Sequence, residues 1–184
     1  MGILGRSADP QAAADHHPFM APRYDVAGHR IAPLTAAEAR RLAEEMAGLD
    51  PWARLGISAA SLAATLGPGA DSSPYAVRGF GLFDPVGEME PLGAAAIRPR
   101  FLNGPYLALI FVRPGCQSRG TGRAALAFME EEARRSGANG LWVSVSAFNE
   151  RAFAFYRRFG FEEIGRVPGL IRPGEDERLM RKPL

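Results

Sequence analysis

The chain has 184 residues, 47% in the hydrophobic class and 23% charged, with a formal net charge of +2. That length fits one ordinary domain with a real core, and the balance is that of a soluble globular protein. The slight basic excess, with a pI near 9.0, argues against a dedicated nucleic-acid binder, which would concentrate its cations on one face, but suits an anionic small-molecule ligand.

No apolar run approaches the roughly 18 residues of a membrane span. The opening segment MGILGRSADP lacks the continuous apolar stretch of a secretory signal, and Arg6 stands where a myristoylation signal wants Ser or Thr. A cytoplasmic protein without membrane contact is the expectation. Cys116 is the single cysteine, so neither an intrachain disulfide nor a cysteine-based zinc site can form. His16, His17 and His29 all fall in the first thirty residues, which argues against a histidine triad or a metal centre in the body of the domain.

Residues 1–24, rich in Ala, Gly, Pro and Asp without periodicity, are expected to form a flexible tail before a domain spanning 25–184. A short strand is predicted around His29–Leu34. Thr35 and Glu38 have the spacing of a capping box, and Ala39, Leu42, Ala43, Met46 and Leu49 then recur at helical spacing up to Asp50-Pro51. Ser58 opens a second short helix to about Leu66, closed by Gly67-Pro68-Gly69. Tyr75–Phe83 and Leu92–Arg100 are predicted strands joined by a turn at 84–90. The apolar run Tyr106–Val112 predicts a strand buried on both faces. A helix over 120–136, a strand at Leu141–Ser146, a helix over 150–159, a strand at Phe161–Val167 and a last one at Arg178–Arg181 complete an α/β (α+β) domain.

The most informative segment is Val112-Arg-Pro-Gly-Cys-Gln-Ser-Arg-Gly-Thr-Gly-Arg123, where a strand passes through a glycine-bearing loop into a helix. Backbone N–H groups without intrahelical partners converge there with the positive end of the helix dipole, which suits phosphate oxygens. Gly120 and Gly122 would allow close approach to the backbone, and Arg119 and Arg123 would add charge. A plain strand-to-helix turn is the alternative. Two rival phosphate motifs fail. Gly120-x-Gly122-x-x-Ala125 fits the loose dinucleotide fingerprint, but the next strand ends in Ser144-Val145-Ser146-Ala147, without the acid that holds a ribose. A nucleotide-triphosphate loop needs Gly-Lys-Ser/Thr, whereas Gly122 precedes Arg123 and Ala124.

The run Gln117-x-x-Gly120-x-Gly122, directly after a strand ending Val-x-Pro, resembles the cofactor motif of the GNAT N-acetyltransferase superfamily. A second run, Asn149-x-x-Ala152-x-x-Phe155-Tyr156-x-x-x-Gly160-Phe161, resembles that family's other signature and sits about thirty residues later. The resemblance implies a mixed, mostly antiparallel central sheet flanked by helices, with the strand, phosphate loop and helix at its core. It implies that the backbone of Ser118, Arg119, Gly120, Thr121, Gly122 and Arg123, with Gln117, holds the pyrophosphate of acetyl-coenzyme A. Ile110, Phe111 and Val112 would run beside the pantetheine arm, and Asn149 would bond its amides. Attack of an amine on a thioester expels a thiolate, and a phenol of similar acidity can protonate it. That role falls to Tyr156. Each residue also has a plain structural reading, a helix cap for Asn149 and a core position for Tyr156.

The sequence departs from the family at the base. Members acting on a ribosomal protein's N-terminus carry a glutamate five positions ahead of the Asn, and here that position is Ser144. The strand Tyr106–Val112 offers no carboxylate either. Glu88 and Glu90, or a chain of waters, are the remaining candidates. Trp52 and Arg54, between the two early helices, would form a wall and an anion anchor for the acceptor, or in the case of Trp52 simply pack the loop down. The expected activity is direct acetyl transfer from acetyl-CoA to a primary amine, without metal or nucleic acid and with a homodimer left open. A non-catalytic acyl-CoA sensor acting through a protein partner is the alternative.

Overall fold

The computed structural model describes residues 17–68, 73, 75–86 and 90–184. Chain order is β1 (Tyr24–Val26), β2 (His29–Pro33), α1 (Ala36–Ala47), α2 (Trp52–Leu55), α3 (Ala59–Leu66), β3 (Arg78–Phe83), β4 (Gly93–Phe101), β5 (Gly104–Val112), α4 (Thr121–Arg135), β6 (Gly140–Ser146), α5 (Glu150–Arg158), β7 (Glu162–Arg172) and β8 (Glu175–Pro183). The eight strands form one sheet in the order β1-β2-β3-β4-β5-β6-β8-β7. Every neighbouring pair is antiparallel except β5 and β6, because only there does a helix, α4, carry the chain back to start the next strand in the same direction.

Local chemistry sets the helix ends as expected. The Thr35 side chain accepts from the Glu38 N–H while the Glu38 carboxylate accepts from the Thr35 N–H, so the capping box is closed. Ser58 caps α3 through the Ser61 N–H. Each face of the sheet carries its own core. On one face α1 and α3 bury Leu42, Ala43, Met46 and Leu66 against Ala94, Ala96, Leu109 and Phe111. On the other, α4 and α5 bury Leu126, Phe128, Met129 and Tyr156 against Phe80, Ile97, Leu107 and Val143.

Within residues 17–23, expected to lie in the tail, Phe19 is anchored in the core while residues 20–23 stay exposed. Phe19 is 2% exposed and meets Phe128 edge-on at 5.4 Å. Its N–H donates to the buried carboxylate of Glu132 at 2.7 Å, and Arg78 donates to the Pro18 carbonyl. A single aromatic in the run Pro18-Phe19-Met20-Ala21-Pro22 gives no periodic signal by which to place it.

Two irregularities open the sheet near its centre. Ala96 pairs with Leu109 and Ile97 with Leu107, so Ala108 is an extra residue that bulges β5 and reverses its faces. β5 also pairs with β6 only at Tyr106↔Trp142 and Leu107↔Val143, and the two strands part beyond that point. The expectation of a strand buried on both faces is therefore corrected. Ala108 is exposed, and Tyr106, Ile110 and Val112 are half-buried beside the opening.

Candidate active site

The parting of β5 and β6 opens a cleft of about 550 Å³ floored by β5 and bounded by the loop before α4, the start of α5 and the α1–α2 connection. A strand paired on one edge leaves the N–H and C=O groups of its other edge for a ligand. From Ile110 to Val112 that free edge of β5 faces the cleft.

At the loop, Gly120 is the N-cap of α4 with φ +85°, and no side chain bonds the first-turn amides of the helix. A β-carbon there would meet nothing nearer than 4.0 Å, so the requirement for glycine comes from the left-handed backbone and not from crowding. Gly122 is different. A β-carbon on it would come within 3.2 Å of the Phe155 ring and 3.7 Å of Val112. It lets α4 seat against α5 and β5, a reason beyond the close phosphate approach expected from its sequence. Arg123, Arg151 and Arg158 border the cleft. Among the described residues none of the three has a carboxylate partner, and Arg151 donates to the Gln117 side chain at 2.5 Å. The cleft is thus an unneutralised cationic rim around open helix amides.

Of the residues singled out for the cofactor, Ile110, Phe111, Val112, Gln117, Ser118, Gly120, Thr121, Gly122, Arg123 and Asn149 all line this cleft, whereas Arg119 is exposed outside its lining. Asn149 also caps α5, its Oδ1 accepting from the Ala152 N–H at 3.0 Å. The cap is observed, and the side chain stands at the cleft. Trp52 lines the cleft and packs edge-on against Phe111 at 5.7 Å. Arg54 lies over the Phe148 ring and pairs with Glu175 at 3.0 Å, tying α2 to the β7–β8 hairpin. Glu90 pairs with Arg41 and Arg113 away from the cleft, and Glu88 lies outside the described residues.

Tyr156 is 4% exposed and packs between Phe155 and Phe161. Burial pushes its ionisation well above the usual tyrosine range, and the nearby Tyr106 and Glu177 add to the shift. Its phenol therefore keeps its proton at neutral pH, but unlike Ala152 and Phe155 beside it Tyr156 is not among the residues that line the cleft. It comes from the side of the sheet that carries α4 and α5, while Glu177 pairs in register with Ser146 and shares the opposite face with it.

Sequence reasoning missed several groups at or near the site. Asp50 lines the cleft from the α1–α2 connection, and Arg151 and Arg158 do so from α5. His29, remote in sequence from the body of the domain, is brought to it in space. It is buried, and its Nε2 lies 3.2 Å from the hydroxyl of Thr121, the first residue of α4. Nothing in the chain order brings β2 to the phosphate loop; only the packing does. No group of three or more His, Cys, Asp or Glu side chains suited to a metal ion occurs among the described residues, nor any helix there long and apolar enough to cross a membrane.

Residues 73–161 match the acetyltransferase (GNAT) family. The chain is 38% identical over 72 residues to ribosomal protein bS18-alanine N-acetyltransferase of Escherichia coli strain K12, a stretch covering 39% of this chain and 49% of that protein. It thus spans about half the length of the curated relatives it matches. Among solved structures it superposes on the ribosomal-protein-S18-alanine N-acetyltransferase from Escherichia coli with a TM-score of 0.62, at 24% identity over 84% of this chain and 93% of the other. Nourseothricin acetyltransferase gives a TM-score of 0.52 at 29% identity, over 58% of this chain and 65% of the other. Strand, loop and helix signatures, sheet order and family match agree that residues 73–161 form a GNAT acetyltransferase-like unit.

Proposed function

We propose that the protein transfers the acetyl group of acetyl-CoA directly to a primary amine. The observation that carries this reading is the juxtaposition of three features. They are the uncapped, left-handed Gly120 turn, the free edge of β5 and a buried phenol, Tyr156, packed in the core with Leu107 of β5 and Val143 and Val145 of β6. The α4 amides and the arginine rim suit the phosphates of coenzyme A. The free edge of β5 suits the amide-bearing pantetheine arm, and the Ala108 bulge turns backbone donors towards a thioester carbonyl.

With both substrates held in one cleft, the amine nitrogen forms a bond to the thioester carbon and the carbon–sulfur bond breaks. Tyr156 donates its proton to the departing sulfur and regains one from the nitrogen of the collapsing adduct. The raised ionisation of the buried phenol makes it a weaker acid than a free tyrosine, so the role rests on its position and on the motif that carries it. A sensor that only bound acyl-CoA would have no use for a phenol at this point, so the non-catalytic alternative is not favoured.

The test is calorimetric titration with acetyl-CoA, using NAD and ATP as controls, followed by thiol release against a panel of amines. Tight binding of acetyl-CoA alone and turnover with at least one amine are expected. Tyr156→Phe should then lower kcat by about 10²-fold or more, the scale of one general acid, while binding is retained. Unchanged turnover in that variant would remove Tyr156 from the mechanism.

A further inference from the structure

Glu177 is an unusual carboxylate. It is 2% exposed in the middle of β8, and among the described residues no guanidinium or ammonium group pairs with it. A buried carboxylate without a cation is costly unless hydrogen bonds hold it or it carries a proton. One hydroxyl of β6 supplies such a bond, Ser146 donating to its Oε1 at 2.5 Å. Ser144, two residues earlier on the same face of β6, stands diagonally across from the carboxylate and favours its charged form. Ser144 in turn lies 2.8 Å from the hydroxyl of Tyr106 on β5. The result is a row of side chains, Tyr106, Ser144 and Glu177, which crosses one face of the sheet where β5 and β6 are still paired. Tyr106 and Ser144 are half-buried, whereas Ser146 and Glu177 are buried. Tyr106 stands on β5, the strand whose later residues floor the cleft.

The other titratable groups around Glu177 are few. Tyr106 approaches from β5 and Tyr156 from α5. Arg178, the next residue on β8, points through the opposite face to Glu150 and the Phe153 ring. Burial raises the Glu177 carboxyl above the usual range, and the two serine hydroxyls pull it back only part of the way.

Resting on the acetyltransferase reading above, we infer that Glu177 is the proton acceptor for the incoming amine, reached through the hydroxyls of Tyr106 and Ser144. The ammonium group loses one proton to the Tyr106 oxygen as the Tyr106 proton passes to Ser144 and the Ser144 proton to Glu177. The amine is left neutral with its lone pair free, and Glu177 releases the proton to solvent after turnover. Tyr106 and Ser144 end as they began. The line also divides the proton traffic by face, with acceptance on the side of α1–α3 and donation by Tyr156 from the side of α4 and α5. A base with a raised affinity for protons matches this work better than an exposed carboxylate does.

The test is a pH profile of kcat/KM for wild type and Glu177→Gln, using acetyl-CoA and whichever primary amine of the panel the wild type acetylates. The variant should lose about 10²- to 10⁴-fold near neutral pH. It should recover as the pH rises towards the pKa of the amine, where the substrate arrives neutral, and Glu177→Asp should restore part of the loss. Calorimetric binding of acetyl-CoA should be unchanged. In the free protein, the carboxyl stretching band that disappears in Glu177→Gln should titrate above the ordinary carboxylate range. Should Glu177→Gln fail to fold, Ser144→Ala interrupts the same line without touching the carboxylate and should reproduce the pH-dependent loss. Activity within twofold of wild type, an equal loss at every pH, or a band that titrates with the exposed carboxylates would overturn the assignment. Wild-type protein that binds acetyl-CoA but releases no thiol with any amine would instead overturn the acetyltransferase reading itself.

Discussion

Glu177 and Gly120 each hold a state that the isolated residue would avoid, and each state can be measured. For Glu177 the folded protein binds the proton more tightly than the unfolded chain does, because burial disfavours the carboxylate. The stability this contributes is therefore fully present below the unfolded carboxyl pKa. It is lost as the pH rises through the higher folded value. Glu177→Gln, which has nothing to ionise, should gain in Tm relative to wild type between acid and neutral pH, as followed by thermal melts across that range. A constant difference would remove the ionisation from the account. At Gly120, φ is +85°, and a side chain in the left-handed region costs about 1–2 kcal/mol. Gly120→Ala should weaken acetyl-CoA binding by roughly tenfold, because the loop must leave the conformation that aims its amides. Unchanged affinity by calorimetry would show that those amides do not hold the ligand.

At the scale of elements, α1 shows how much a local signal carries by itself. Thr35 and Glu38 close the capping box, and Ala39, Leu42, Ala43 and Met46 line the buried stripe. Thr35→Ala should cost about 1 kcal/mol, a fall in Tm of some 2–4 °C for a domain of this size, with acetyl-CoA binding intact. A larger loss would mean that the cap also positions the α1–α2 connection at the cleft. β5 shows the opposite limit. Its run of apolar residues predicts a strand but not the Ala108 bulge, since that depends on how Ala96 and Ile97 of β4 register against it. The parting from β6 is equally invisible. It depends on how β6 registers against both β5 and β8, which neither strand's own residues specify.

For the molecule as a whole, the segment before β1 ties the hairpin β1–β2 to the helix that carries the phosphate loop. Phe19 fills a slot between Phe80 and Phe128, and Glu132 accepts its N–H. Phe19→Ala should cost about 3–5 kcal/mol, the usual loss for a buried aromatic, read as a lowered denaturation midpoint. Wild-type stability in that variant would place Phe19 outside the cooperative core. The same packing puts His29 against Thr121, so the N-terminal strands support the loop from behind.

What the amino-acid sequence determined by itself was everything local in cause. Helix caps, the apolar periods of α1 and α4, the glycine turn into α4 and the Asn149-to-Phe161 run are each written within a dozen or so neighbouring residues. They mark residues that line the cleft from β5, from the loop before α4 and at Asn149. The base we propose was decided only in three dimensions. Ser144 has no carboxylate of its own, and Glu177 on β8, thirty-three residues later, is brought near it by strand pairing. The row from Tyr106 through Ser144 to Glu177 needs three strands in one register. Register is fixed by the burial of both faces of the sheet at once, which no short window of sequence contains.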